Sequence, residues 1–178
     1  MTLEVRKAAM SDIAPVLRLI NDYAAQGVML SRTEFELSEN IRDFSVAYSG
    51  QRLIGCGALH FYTPSMGELR SLAVDPTAKA HGAGREIVHA LLAEASQFTL
   101  DAVFAFTYVP GFFRKMCFEE VERGALPLKV WKDCLRCPKF EGCDEIAMVR
   151  ILRPEHWRDH HTGAAEFDHE AALLPIVR

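Results

Sequence analysis

The chain has 178 residues, of which 49% are hydrophobic and 25% are charged. This length and composition are typical of one folded globular domain, and they exclude a disordered or fibrous protein. The 20 basic and 24 acidic side chains give a net charge of −4, which argues against a nucleic acid or an anionic membrane as partner. No apolar run approaches the roughly 18 residues of a membrane span, and the chain start lacks a signal-peptide core, so we expect a cytoplasmic protein.

Apolar spacing predicts the elements of the first 62 residues. Alternation of apolar and charged residues indicates strands, and a three-to-four-residue repeat indicates helices. Ser11 is the predicted N-cap of the first helix, and Thr33 and Glu36 form the capping box that opens the second. In chain order we predict a strand at 3–6, a helix at 13–24 closed by Gly27, a helix at 33–41, and an antiparallel hairpin at 44–62 that turns at Ser49-Gly50.

The remaining residues predict a strand, a helix and a second strand in succession. The first strand, at 68–74, ends at Asp75-Pro76, an amphipathic helix carries the apolar residues from Ile87 to Ala95, and an apolar strand follows at 102–108. This order predicts a parallel pairing of the two strands. A short helix at 111–116 and closing strands at 118–121 and 146–152 come next. The composition changes after Pro154, so we predict a domain at 1–153 and a histidine-bearing tail at 154–178.

The loop from Asp75 to Gly84 is a candidate phosphate site. Gly82 and Gly84 let the backbone approach a ligand closely, and the free N–H groups at a helix N-terminus bind phosphate oxygens. The spacing is neither that of a P-loop nor that of a dinucleotide-binding fingerprint. A pyrophosphate therefore suits the loop, and the alternative is a turn that only starts the helix.

Two sets of residues resemble a known family. Ser71 to Pro76, followed by Lys79-x-x-Gly82-x-Gly84, resembles the acetyl-CoA loop of the GNAT (Gcn5-related) N-acetyltransferases, where Arg or Gln usually stands at the Lys79 position. Segments at 6–8, 40–44, 68–74 and 126–134 resemble the short, stand-alone bacterial amino-acid N-acetyltransferases of the N-acetylglutamate synthase type. The resemblance implies an α/β (α+β) fold with a mixed, mostly antiparallel central sheet flanked by helices, in which a central parallel strand pair splays for acetyl-CoA.

The resemblance also implies how acetyl-CoA is held. Pantetheine would lie between the two splayed strands, and the backbone N–H of Val74 would face the thioester carbonyl, where it stabilises the oxyanion. A covalent enzyme nucleophile is not required, because a positioned and deprotonated amine attacks directly. The predicted cofactor-binding residues are Leu72, Ala73, Val74, Lys79, His81, Gly82, Ala83, Gly84 and Arg85.

The activity implied is N-acetylation of the α-amino group of glutamate or glutamine, as in the first step of arginine biosynthesis. Glu68 is the candidate general base, acting through water on a strand face that it would share with Arg70, Leu72 and Val74 if no bulge intervenes. The alternative for Glu68 is an ordinary ion pair with Arg70 on a solvated strand.

Two further roles are assigned to residues of this site. The tyrosine that serves as general acid in many family members is replaced by Phe113, which leaves Thr107 and Tyr108 as the nearest hydroxyl groups. Arginine offers bidentate geometry to an α-carboxylate, and the candidate anchors for it are Arg32, which we prefer, Arg70 and Lys129.

Cys134, Cys137 and Cys143 have a spacing that allows structural zinc with a histidine of the tail, or else form a cysteine-lined loop, and we assign no metal ligand. Two other functions stay open: a GNAT enzyme for another small amine or a peptide N-terminus, and a zinc-stabilised binding module without catalysis. The expected partners are acetyl-CoA and an amino acid, and the sequence leaves a homodimer open.

Overall fold

The computed structural model describes residues 3–126 and 137–161, without the side chains of 79–81, 125, 140 and 158–161. Within these ranges it contains seven β-strands and five α-helices. The strands are β1 Leu3–Lys7, β2 Phe44–Ser49, β3 Arg52–Phe61, β4 Met66–Val74, β5 Ala102–Thr107, β6 Glu119–Glu120 and β7 Ile146–Ile151. The helices are α1 Ile13–Ala24, α2 Glu34–Asn40, α3 Ala83–Gln97, α4 Pro110–Lys115 and α5 Pro154–His161. None of the helices in these ranges is long and apolar enough to cross a membrane.

The strands form one mixed sheet in the order β1-β2-β3-β4-β5-β7-β6. Every neighbouring pair is antiparallel except β4 and β5, which are parallel and pair only at Met66–Ala102, Gly67–Val103 and Glu68–Phe104. Beyond Glu68, β4 stays paired with β3 and β5 stays paired with β7. The two central strands therefore part after this point, and the predicted mixed sheet with a splayed parallel pair is confirmed.

A bulge in β4 overturns the expected alternation along that strand. Arg70 pairs with Ala58 but Ala73 pairs with Cys56, so that Ser71 and Leu72 together stand opposite Gly57, and Ser71 has a φ of 53°. A bulge of this kind shifts the side chains that follow it to the other face. The prediction of one shared face for Glu68, Arg70, Leu72 and Val74 is therefore wrong. Leu72 and Val74 pack under α3, whereas Glu68 and Arg70 point to the opposite face.

Apolar packing on the two faces of the sheet is unequal. One large cluster joins α3 to the sheet and includes Ile87, Leu91 and Val103. The other face carries two separate clusters, one beneath α1 and α2 around Val16 and Val46 and one around Phe104. The segment of β4 between these two clusters bears Glu68 and Arg70, so polar groups occupy the gap in this core.

Capping residues in the sequence predict the start of α2 correctly but not the start of α1. The capping box is confirmed, since the Glu36 N–H donates to Thr33 Oγ1 at 3.2 Å and the Thr33 N–H donates to the Glu36 carboxylate at 2.8 Å. The predicted N-cap Ser11 is wrong. The chain enters α1 through a 3-10 turn at Met10–Asp12, because the Asp12 carboxylate accepts the Ala9 N–H at 2.7 Å.

Asp12 ties the first strand and helix to β2. Its carboxylate is 2% exposed and accepts from Arg6 at 2.7 and 3.0 Å and from the Tyr48 hydroxyl at 2.8 Å. The Arg6 guanidinium lowers the pKa of Asp12 to about 2, and this effect outweighs burial, which acts in the opposite direction. A buried charge with this many donors is fully compensated and holds the three elements in one register.

We predict that Asp12→Asn lowers the free energy of unfolding at pH 7 by about 2 kcal/mol. The pKa of the Asp12 carboxyl is 3.8 without these donors, as in the unfolded chain, and about 2 in the fold. The contribution of Asp12 to the free energy of unfolding is therefore complete above pH 3.8 and is lost as the pH falls towards 2. Urea unfolding from pH 6 to pH 2.5 measures this loss. The exposed Asp22 is the matched control, and a D12N protein with the native pH dependence would contradict the assignment.

Candidate active site

Glu68 lies where β4 and β5 part. It is the last residue of β4 to pair with β5, opposite Phe104, and it is 1% exposed. Its neighbour Leu69 packs in the cluster under α3, so the Glu68 carboxylate points to the α1–α2 face. A carboxylate in this position faces whatever ligand enters the opening from that side and is shielded from bulk water.

Three more polar side chains share this face with Glu68. The Arg70 side chain is 9% exposed, and its Nη2 lies 3.8 Å from Asp43 Oδ2. His60 stands opposite Glu68 in the β3–β4 ladder, and its Nδ1 donates to the same Asp43 oxygen at 2.7 Å. We call Glu68, Arg70, His60 and Asp43 the polar cluster. The burial of Glu68 and Arg70 shows that this part of β4 is not solvated.

Backbone groups at the end of β4 are directed into the opening. The Asp75 N–H donates to the Ile54 carbonyl at 2.9 Å, so Val74, paired with Gly55, occupies a position at which an antiparallel ladder makes no hydrogen bonds. Its N–H and C=O therefore face away from β3. The carbonyl accepts from the Tyr23 hydroxyl at 2.6 Å, which fixes the end of α1 to this edge.

The phosphate loop is anchored at its start by side chains. The Asp75 carboxylate accepts from the Thr77 N–H at 2.8 Å, and Arg52 donates to Asp75 at 2.5 Å and to Thr77 Oγ1 at 3.0 Å. The hydrogen bonds from Thr77 lower the pKa of the Asp75 carboxyl. The loop ends at Gly82, whose φ of 77° favours glycine, and the first turn of α3 begins at Ala83. The first turn of a helix presents N–H groups that lack intrahelical partners and can bind an anion.

Gly84 serves close packing. A Cβ at this position would lie 3.3 Å from Val74 Cγ2 and 3.6 Å from Phe112, so the glycine lets α3 lie against β4 and α4. Of the other predicted cofactor-binding residues in the loop, Ala83 is buried, and the Arg85 side chain is exposed and paired with Glu86 at 3.1 Å. The side chains of Lys79 and His81 lie outside the described part of the chain.

The two candidate hydroxyl groups have different surroundings. Thr107 Oγ1 accepts the Val109 N–H at 3.0 Å, and Thr107 alternates along β5 with Val103 and Ala105, which pack under α3. It therefore lies on the face opposite Glu68. The Tyr108 hydroxyl, just beyond β5, accepts from Lys139 Nζ at 3.2 Å. Burial raises the pKa of Tyr108 despite this ammonium, so its phenol stays protonated at neutral pH.

Phe113 stands where the family's acid is expected, and it belongs to the core. It is 3% exposed and contacts Phe112 and Phe118 edge to face, with ring centroids 5.3 and 5.2 Å apart. The side chain therefore closes the cluster under α3.

The candidate carboxylate anchors lie in different parts of the chain. The Asn21 side chain of α1 holds the backbone of Arg32. The Arg32 N–H donates to Asn21 Oδ1 at 2.9 Å, and Asn21 Nδ2 donates to the Arg32 carbonyl at 3.0 Å. This pair of bonds fixes the loop between α1 and α2 on the face that carries the polar cluster. Arg70 belongs to that cluster. Lys129 lies outside the described residues.

The cysteines are only partly described. Cys137 and Cys143 are half-buried free thiols, and Cys134 lies outside the described residues. Among the residues that the structure describes, no three His, Cys, Asp or Glu side chains are grouped as a metal would require.

Comparison with known proteins identifies the family. The model of the acetyltransferase (GNAT) family matches residues 15–117, which span more than half of the chain. The chain belongs to this family. A GNAT relative from Chlorobaculum tepidum, named an N-acetyltransferase, is 44% identical over 83% of this chain and 96% of its own length. An amino-acid acetyltransferase of Mycobacterium tuberculosis is 34% identical over 84% of this chain and 87% of its own. The protein is an acetyltransferase.

Two solved structures are similar in fold. A Mycobacterium tuberculosis protein in complex with CoA and NLQ has a TM-score of 0.72 and 29% identity, over 84% of this chain and 99% of that one. An N-acetylglutamate synthase of Neisseria gonorrhoeae, complexed with coenzyme A and N-acetyl-glutamate, has a TM-score of 0.77 and 26% identity. The alignment covers 86% of this chain but 36% of the synthase.

Sequence reasoning missed His60, Asp43, Tyr23 and Lys139. Each reaches its partner across elements far apart in the chain, as in the 51-residue separation of Tyr23 and Val74. His60 lies in a strand that pattern alone predicts as apolar. Its alternation with Ala58 on the face opposite Leu59 was the one available signal.

Proposed function

We propose that this acetyltransferase transfers the acetyl group of acetyl-CoA to the α-amino group of glutamate or glutamine by direct attack of the amine on the thioester. The observation that carries the proposal is the burial of Glu68 at the point where β4 and β5 part. The amino-acid acetyltransferase relative and the similar structures with CoA support the donor and the acceptor class. With glutamate as acceptor, the reaction is the first step of arginine biosynthesis.

Acetyl-CoA fits the opening of the sheet and the phosphate loop together. The pyrophosphate would accept from backbone N–H groups between Gly82 and the first turn of α3. Pantetheine would run along the edge of β4 that β5 leaves open, where the Val74 N–H is available. This chain supplies these contacts mainly from its backbone, so a lysine at position 79 in place of Arg or Gln is compatible with binding.

Distances along β4 favour the bulge as the position of the thioester carbonyl. Six residues separate Glu68 from Val74, about 20 Å in an extended strand, so a carbonyl at the Val74 N–H would be beyond the reach of Glu68. Ser71 and Leu72 oppose one residue of β3, which leaves an N–H that the ladder does not use. We therefore assign the oxyanion contact to the bulge at Leu72 and the Val74 N–H to pantetheine.

The proton transfers assign separate roles to Glu68 and Tyr108. The acceptor arrives as an ammonium ion and must lose one proton before its lone pair can attack, and Glu68, through water, is the base. Collapse of the tetrahedral intermediate breaks the C–S bond, and the departing thiolate takes up a second proton. Tyr108 is the proposed donor because its phenol is protonated at neutral pH.

A panel of acceptors tests the function. Release of the CoA thiol from acetyl-CoA is measured with free glutamate, glutamine, other amino acids, polyamines and short peptides. We expect release with glutamate or glutamine. Release confined to polyamines or peptides would support a GNAT enzyme of other specificity, and no release with any acceptor would support a binding module.

Gly82→Asp should weaken acetyl-CoA binding by about tenfold or more, because a carboxylate would face the pyrophosphate at short range. Gly82→Asn is the matched control, since Asn and Asp tolerate the left-handed backbone of this position equally and differ in charge. Calorimetric titration with CoA measures both affinities. Equal affinities for the two variants would exclude a phosphate at this loop.

Arg32→Ala should raise the KM for the amino acid about tenfold to a hundredfold, because a hydrogen bond to a charged group contributes about 1.5–3 kcal/mol. The KM for acetyl-CoA should stay close to the native value. Arg32→Lys should restore little, since an ammonium cannot form the bidentate contact. Equal increases in both KM values would instead indicate a disturbed fold.

Glu68→Gln should leave both KM values near native and lower kcat by about 10²–10⁴, the range for a lost general base. The defect should shrink as pH rises, because more of the amine is then neutral without assistance. Steady-state kinetics from pH 6 to pH 9.5 measure both effects. A variant with native kcat at neutral pH would exclude Glu68 as the base.

A further inference from the structure

His60 stands between the buried Glu68 and the solvent. The two residues face each other across the β3–β4 ladder, and directly paired side chains of an antiparallel sheet lie on one face, with Cβ atoms about 5 Å apart. The exposed fraction rises from 1% for Glu68 to 22% for His60 and 27% for Asp43. Of these three side chains, Glu68 is shielded from solvent, whereas His60 and Asp43 both reach it.

The hydrogen bond to Asp43 determines the tautomer of His60. A carboxylate can only accept, so the 2.7 Å bond requires the proton of the neutral ring on Nδ1. Nε2 then carries the lone pair and can accept a proton from another group. Asp43 also stabilises the imidazolium that forms when Nε2 takes up a proton.

We propose that His60 carries the proton that Glu68 removes from the acceptor amine out to the solvent, with Asp43 holding the ring. This inference rests on the proposed function. The amine nitrogen loses one proton to Glu68, the Glu68 carboxyl transfers it to His60 Nε2, and the imidazolium releases it to water. Tyr108 gives its proton to the CoA thiolate and takes up the second amine proton in exchange, so each turnover delivers one proton through His60 and restores neutral imidazole, ionised Glu68 and the Tyr108 phenol.

The other groups that face His60 fit this role. The Arg70 guanidinium lies 3.8 Å from the Asp43 oxygen that His60 also contacts, so the carboxylate that holds the ring is itself held by a second group. The Tyr62 ring meets the imidazole edge to face, with centroids 5.3 Å apart, and restricts its orientation. A ring that is held in place on two sides suits a relay.

The test is His60→Asn in the full-length enzyme. The asparagine amide can still donate to Asp43 but cannot take up a proton. We expect native KM values, a kcat lowered about tenfold or more, and partial recovery when imidazole is added at fixed pH and ionic strength. Native enzyme and the exposed α3 variant His89→Asn should not respond to imidazole. If H60N does not fold, His60→Gln is tested in the same way.

A double mutant separates the relay from a structural role. In the Glu68→Gln enzyme, the further change His60→Asn should lower kcat by less than twofold. The two residues pass on the same proton, so without Glu68 there is no proton for His60 to carry. Native kcat in H60N, a loss that imidazole does not relieve, or full additivity in the double mutant would each overturn the relay. If native enzyme releases no thiol with any amino acid, the proposed function itself fails, and this result is distinct from those three.

Discussion

The parting of β4 from β5 after the Glu68–Phe104 pair is the constraint on which the site depends. Strands that stayed paired would satisfy their backbone groups on each other and leave no room for a ligand. Each strand is instead held by its outer neighbour, β4 by β3 and β5 by β7, so the centre of the sheet can open without loss of either strand. The opening leaves backbone groups that neither strand uses for the other.

The two faces of the opening have different tasks because of the bulge at Ser71. Without it, Leu72 and Val74 would point to the same side as Glu68, and their apolar side chains would fill the space of an acceptor. With it, they support α3, and the small Ala73 faces α1. The strand can therefore present the Glu68 carboxyl group and the Arg70 guanidinium on one face and pack against α3 on the other.

Electrostatics on the acceptor face are organised around shared partners. Asp43 contacts both Arg70 and His60, so the polar cluster contains charges of both signs within a gap between two apolar clusters. Asp12 has a similar role at the edge of the sheet, where its carboxylate joins β1, α1 and β2. In both places one carboxylate contacts side chains from more than one element and so ties those elements together.

Local patterns in the sequence determined most of the elements, the glycine turn before α3 and the family. Capping residues, strand alternation and glycines act over a few positions, so the capping box at Thr33, the hairpin and the turn at Gly82 could be predicted without neighbours in space. The tertiary structure decided which face each β4 side chain occupies, because one extra residue opposite Gly57 reverses the alternation that the residues alone predict. It also decided that His60, Asp43 and Arg70 surround Glu68, since their contacts join segments distant in the chain and depend on the register between strands, which only the packed sheet defines.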